Sequence, residues 1–154
     1  MRIAVIGAGN MGGALVKGWV KAGMTSEIIV TAHTRQTLDR LVGACPGITV
    51  MLDNSKAVQG ADVVVVAVKP WLVEQVISEV MPELKDKLLI SVAAGVRHER
   101  INVYVMPNIA AEFGQSMTFI EEAVQAEVAA DLFGRLGQCM IVPQRQMKIG
   151  RAHV

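Results

Sequence analysis

The chain has 154 residues, 52% of them hydrophobic and 4% aromatic, with 15 basic and 14 acidic side chains and a formal charge of +1. That length supports one core but not two full-sized ones, since chains near this size bury roughly 68–70% of their unfolded surface. The balanced charge offers nothing to attract nucleic acid or an anionic membrane, and the longest obvious apolar run, residues 63–68, is far below the roughly 20 residues of a spanning helix.

Residues 1–6 run straight into glycines without a cleavage-site pattern, so no signal peptide is expected. Cys45 and Cys139 make neither a disulfide framework nor a metal site, which fits a reducing cytoplasm.

Taken in order, residues 2–6 form a continuous apolar run, the signature of a parallel strand buried on both faces. Residues 10–22 read as a helix, with Met11, Leu15 and Trp19 at four-residue spacing and Gly23 placed to end it. A second strand is expected at 27–31, a second helix at 34–42 and a short third strand at 48–52. Residues 53–58 begin a helical turn that Gly60 stops. Residues 62–68 carry five valines and are the clearest strand in the chain. Pro70 suits the first turn of a helix running to about residue 80, because its missing N–H costs nothing there. Residues 88–93 are a further strand.

Strands alternating with helices predict an α/β fold, a Rossmann-like doubly wound and mostly parallel sheet. One joint is short. Only eight residues, 94–101, separate residue 93 from the next strand at 102–106, whereas a parallel crossover usually needs a dozen or more. Either the crossover helix is reduced to a turn, or residues have been lost. Beyond Pro107 come a strand near 117–120, a helix near 123–136 and a last strand at 139–142.

Gly7-Ala8-Gly9-Asn10-Met11-Gly12 is a GxGxxG that follows a strand and opens a helix. Glycines also make tight strand–helix turns, so the motif alone is weak. In a βαβ unit it has a mechanism: Gly7 permits the turn, Gly9 lets a pyrophosphate approach the backbone, and Gly12 packs the helix on its strand. The helix N-terminus then attracts the anion. An NAD site usually places an acid about 20 residues on, but Ala32 stands there and no acid lies between Glu27 and Asp39. His33, Thr34 and Arg35 follow instead, donors suited to a 2′-phosphate. NADP(H) is therefore expected over NAD(H), the other reading being a solvated loop that carries one arginine.

Four segments in order carry a resemblance: Gly7–Gly12, then Ala67-Val68-Lys69-Pro70 after the valine strand, Ser91-Val92-Ala93-Ala94-Gly95-Val96, and Met106-Pro107-Asn108. Together they resemble the N-terminal domain of pyrroline-5-carboxylate reductase, over residues 1–147. The resemblance implies reduction of 1-pyrroline-5-carboxylate to L-proline by NAD(P)H, in a cytoplasmic homo-oligomer. It implies that Gly7, Ala8, Gly9, Asn10, Met11 and Gly12 hold the pyrophosphate, and that His33, Thr34 and Arg35 meet the adenosine ribose and its phosphate. Asn54 would contact cofactor, though it could equally be a helix cap. Ala67, Val68, Lys69 and Pro70, with Ala93, Ala94 and Gly95, would line the nicotinamide half, and Met106, Pro107 and Asn108 the substrate side. Lys69 could equally be a solvated lysine before a helix.

The chain also departs from the family. Ile109-Ala110 replaces the usual Thr-Pro, Gly114-Gln115-Ser116 replaces a Gly-x-Gly, and the crossover helix is missing. The helical C-terminal dimerisation domain has no counterpart here. The ending 148–154 has none in the family either; its last six residues back-translate to ATCGGAAGAGCACACGTC, which resembles a sequencing adapter, so a non-native tail is expected. The 154 residues alone are expected to be inactive.

No catalytic residue or metal site stands out. Arg97-His98-Glu99-Arg100 reads as a solvated charged turn and Glu121-Glu122 as a helix start. Cys139 reads as a buried small hydrophobe, and the nine methionines as core filler. The competing functions are a stand-alone NADP(H)-binding module without catalysis, and another reductase of the fold, such as a β-hydroxyacid or deazaflavin-linked dehydrogenase.

Overall fold

The computed structural model describes residues 1–144; the expected tail at 148–154 lies outside them. Eight strands form one sheet in the order β3-β2-β1-β4-β5-β6-β7-β8. The strands are β1 (Ile3–Ile6), β2 (Ile28–Thr31), β3 (Thr49–Met51), β4 (Val63–Val66), β5 (Leu88–Ser91), β6 (Val103–Met106), β7 (Ser116–Glu121) and β8 (Gly137–Val142). All neighbours are parallel except β6 and β7, which run antiparallel. The expected doubly wound sheet is present.

The strand sequences explain the layering. β1, β2, β4 and β5 are buried along their whole length, so each must be apolar on both faces, and helices cover both. On one face lie α1 (Asn10–Lys21), α2 (Arg35–Ala44) and α5 (Ala126–Gly134), which pack Leu15, Trp19, Leu38 and Phe133 against Ile3, Val5 and Ile90. On the other lie α3 (Asn54–Gln59) and α4 (Val73–Val80), where Val58, Val73 and Ile77 meet Ala4, Ile6, Val64 and Leu89.

Local signals account for the boundaries. Gly23 adopts φ +88°; its N–H donates to Val20 O and that of Met24 to Trp19 O, the two bonds of a Schellman stop. Pro70 opens a short 3₁₀ turn, Pro70–Leu72, that leads into α4. Asp53, not Asn54, caps α3: its Oδ1 accepts from Lys56 N at 3.1 Å.

The crossover between β5 and β6 carries no helix, so the first of the two alternatives, reduction to turns, describes it. Four other expectations fail. Glu121 ends β7 and α5 begins only at Ala126, so Glu121-Glu122 is no helix start. Arg97–Arg100 is no freely solvated turn, because Arg97 pairs with Glu121 and Arg100 with three backbone or amide oxygens. Of the eight described methionines only Met24 is buried, so they do not fill the core. Cys139 is half-buried rather than buried, and burial raises its thiol pKa.

Candidate functional site

In this strand order the chain winds outward from β1 through β2 to β3, then returns to β4 on β1's other side. The crevice beyond the carboxyl ends of β1 and β4 is therefore the switch point, where open α/β sheets bind ligands. Three backbone bonds hold the loops there side by side: Gly7 N to Thr31 O at 3.1 Å, Ala67 N to Ile6 O at 2.8 Å, and Val92 N to Val66 O at 3.1 Å. The structure thus gathers Gly7–Gly12, residues 32–35, Ala67–Pro70 and Ala93–Gly95 along one edge.

The three motif glycines differ in what demands them. Gly7 sits at φ +106°, and a Cβ there would lie 2.7 Å from Ala67 O. A Cβ on Gly12 would lie 1.9 Å from Gly7 O. Both are required by the protein's own backbone. Gly9 is different: its φ of −75° is open to any residue, and a Cβ there would meet nothing within 4 Å. No protein neighbour explains the glycine at that position.

Gly9 also serves as N-cap of α1, with no side-chain cap and no acid in the first turn. The N–H groups that open a helix lack internal partners, so those of Asn10, Met11 and Gly12 can donate outside the helix, an arrangement suited to an anion. A groove of about 700 Å³ adjoins this cradle on the α1–α2 side and brings Lys17 and Arg40 near it. Sequence reading missed both cations, which stand on helix faces and outside any motif.

At the end of β2, His33, Thr34 and Arg35 are exposed and no carboxylate accompanies them. Thr34 caps α2: its Oγ1 accepts from Thr37 N at 3.3 Å and contacts Thr37 Oγ1 at 3.0 Å. Its hydroxyl is therefore engaged by the helix, which leaves Arg35 as the residue whose charge is free of a partner among the described residues. Asn54 is half-buried in the first turn of α3, and its Nδ2 lies 3.5 Å from Glu79 Oε1.

Ala67 and Val68 touch the glycine loop directly, since Cβ atoms built on Gly7 and Gly12 would reach Val68 Cγ1 at 3.2 Å and Ala67 Cβ at 3.4 Å. Lys69 is exposed and makes no side-chain bond among the described residues. Trp71, two residues on, is 76% exposed. Ser91, which sequence reading quoted but did not nominate, accepts from Ala93 N through Oγ at 3.2 Å. Such a serine turn shapes the Ala93–Gly95 loop.

Met106, Pro107 and Asn108 leave the end of β6. Asn108 Oδ1 accepts from Ala110 N at 3.1 Å and caps a 3₁₀ helix, Ile109–Phe113, which periodicity did not reveal. The Ile-Ala that replaces Thr-Pro forms its first turn. Gly114, at φ +69°, ends it, and Ser116 Oγ accepts from Asn108 N at 3.4 Å while contacting Thr118 Oγ1 at 2.9 Å. Among the described residues no helix is long and apolar enough to cross a membrane, and no cluster of three His, Cys, Asp or Glu could hold a metal.

Comparison with known proteins agrees with this geometry. The pyrroline-5-carboxylate reductase of Pisum sativum is 38% identical over 88% of this chain and 55% of its own length. That of Methanosarcina acetivorans is 34% identical over 95% of this chain and 60% of its own. The chain thus spans somewhat over half the length of the curated relatives it matches. The Coxiella burnetii pyrroline-5-carboxylate reductase structure superposes with a TM-score of 0.85 at 28% identity, covering 96% of this chain and 61% of that one. The Plasmodium falciparum structure, described with NADP bound, gives 0.84 at 22% identity, over 99% of this chain and 61% of that one, and speaks for the fold alone. Residues 2–95 match the family described as NADP oxidoreductase coenzyme F420-dependent, and the chain belongs to that family.

Proposed function

We propose that this chain is the cofactor-binding portion of an NAD(P)H-dependent reductase that converts 1-pyrroline-5-carboxylate to L-proline. The observation that carries the cofactor part is Gly9, a glycine that neither backbone angle nor protein neighbour requires, at the head of an uncapped helix. The names of the relatives support the substrate, and favour it over a β-hydroxyacid or deazaflavin-linked reaction. Bound in the crevice, the dinucleotide would supply the hydride for imine reduction.

The chain's own residues bind and orient. Gly7–Gly12 would hold the pyrophosphate on free N–H groups. Ala67–Pro70 and Ala93–Gly95 would wall the nicotinamide half with small side chains, and Met106, Pro107 and Asn108 would border the substrate. Positioning of this kind accounts for much of the acceleration in hydride transfer. The complete enzyme is read as a cytoplasmic homo-oligomer acting on a small molecule. The 154 residues themselves are expected to bind cofactor and turn over little imine.

Arg35 is read as the partner of a 2′-phosphate. Arg35→Ala should lower the ratio of NADP(H) to NAD(H) affinity about ten-fold, the loss of one exposed charge-assisted hydrogen bond. An unchanged ratio in competition titrations would remove Arg35 from the site.

The substrate is tested by fusing residues 1–144 to the C-terminal portion of the Methanosarcina acetivorans relative. The fusion should oxidise NADPH only when 1-pyrroline-5-carboxylate is present. A folded fusion that binds NADPH without reducing this imine would contradict the substrate assignment.

A further inference from the structure

The chain passes from the end of β5 to the start of β6 through residues 92–102 without a helix. These strands are parallel neighbours, and a connection of this type normally packs a helix onto the sheet. Here the connection is held by polar groups. Arg97 Nη1 donates to Glu121 Oε1 at 2.8 Å and Nη2 donates to Oε2, a two-pronged pair. The guanidinium carbon lies 4.2 Å from the centroid of the Tyr104 ring, within cation–π range. The Tyr104 hydroxyl accepts from His98 N at 2.8 Å and donates to His98 O at 3.0 Å. Farther along, Arg100 donates to Leu84 O at 2.6 Å, Lys87 O at 2.8 Å and Asn102 Oδ1 at 2.9 Å.

Glu121 is only 6% exposed. A carboxylate that deep stays charged at low cost only when a cation and good hydrogen bonds meet it, and the planar fork of arginine does this better than lysine. The loop just before Arg97 touches the core through Ala93 and Val96, but the residues between them do not. Ala94 and Gly95 are exposed, and a Cβ on Gly95 would meet nothing within 4 Å. Ser91 holds the loop's near end through Ala93 N; at its far end Val96 packs against the core and Arg97, two residues past Gly95, adds the polar anchor.

We propose that Arg97 is a positioning residue. Its fork on Glu121 does the work of a crossover helix, fixing the Ala93–Gly95 loop and thereby setting affinity for the nicotinamide half of the dinucleotide but not for the adenosine half. This rests on the cofactor reading given above, and the test separates the two.

The experiment uses the full chain and the double variant Arg97→Met/Glu121→Gln, which removes both charges of the pair together. NADPH reports on the whole site and adenosine 2′,5′-bisphosphate on the adenosine half alone. NADPH binding should weaken about ten-fold, the cost of re-ordering a loop on binding, while adenosine 2′,5′-bisphosphate binding stays the same. Amide hydrogen exchange provides a readout without ligand: the amides of residues 93–97 should exchange about ten-fold faster in the variant, reporting local opening, with those of 7–12 unchanged. Arg97→Lys keeps Glu121 paired, so it serves where the double variant fails to fold, and should shift both readouts in the same direction by less. Equal loss for both ligands, no loss for either, or unchanged exchange would overturn the clamp. A wild-type chain that binds neither ligand would refute the cofactor reading, and the exchange comparison would still decide the clamp.

Discussion

Gly9→Ala is expected to weaken NADP(H) binding about 5- to 150-fold, the equivalent of about 1–3 kcal/mol of overpacking against a close ligand. The folded chain itself should hardly notice, because the new methyl would point into open space at an ordinary backbone angle; an N-cap change of this kind costs about 1 kcal/mol or less. Gly12→Ala should differ by costing stability as well as binding. Its Cβ would overlap Gly7 O, 1.9 Å away, so α1 must move off β1. A loss of about 1–3 kcal/mol is expected, visible as a fall of about 2–10 °C in Tm for a chain of this size. Thermal melts therefore separate the two variants, since only Gly12→Ala should lower Tm by this much. Should Gly9→Ala bind as tightly as wild type, the glycine would be an accident of the turn and the cradle would lose its main support.

The second large effect is on stability. Trp19 is fully buried on α1, makes an edge-on contact with Phe133 at 5.4 Å between ring centroids, and donates through Nε1 to Leu132 O at 2.9 Å. It joins the first βαβ unit to α5, more than a hundred residues later. Trp19→Ala should cost about 3–5 kcal/mol through the cavity it leaves. Trp19→Phe keeps most of the volume and loses the hydrogen bond, for about 1–2 kcal/mol. Chemical denaturation of the two variants checks the order; equal destabilisation would mean that the hydrogen bond, and not the volume, dominates.

The parts of the fold that could be read in advance rest on local chemistry. Runs such as Val63–Val66 are apolar on both faces, so they specify parallel strands without reference to any partner, and Gly23 and Pro70 mark helix boundaries by their own backbone limits. Glu121 could not be read in this way. Its partner Arg97 is 24 residues away, and beside Glu122 it looked like the acidic first turn of a helix. The 3₁₀ helix Ile109–Phe113 is too short to show a period, although Asn108 before it and Gly114 after it are the cap signals that mark its ends. The methionines misled because composition says nothing about side: Met106, Met117 and Met140 lie on β6, β7 and β8 and are only partly covered. In the candidate site, the glycine cradle was legible as a motif. The difference between Gly7 and Gly12, which the fold requires, and Gly9, which it does not, was not legible, because it rests on contacts made only in the folded chain.

Binding of NADP(H) in the crevice between β1 and β4 is open to a direct optical test. Trp71 is 76% exposed in the turn that follows Lys69, whereas Trp19 is fully buried. Titrating NADPH into the chain while following tryptophan emission should give saturable quenching that Trp71→Phe largely removes, with NADPH binding more tightly than NADH. A folded chain whose emission and heat show no saturable response to either nucleotide would contradict NADP(H) binding in this crevice.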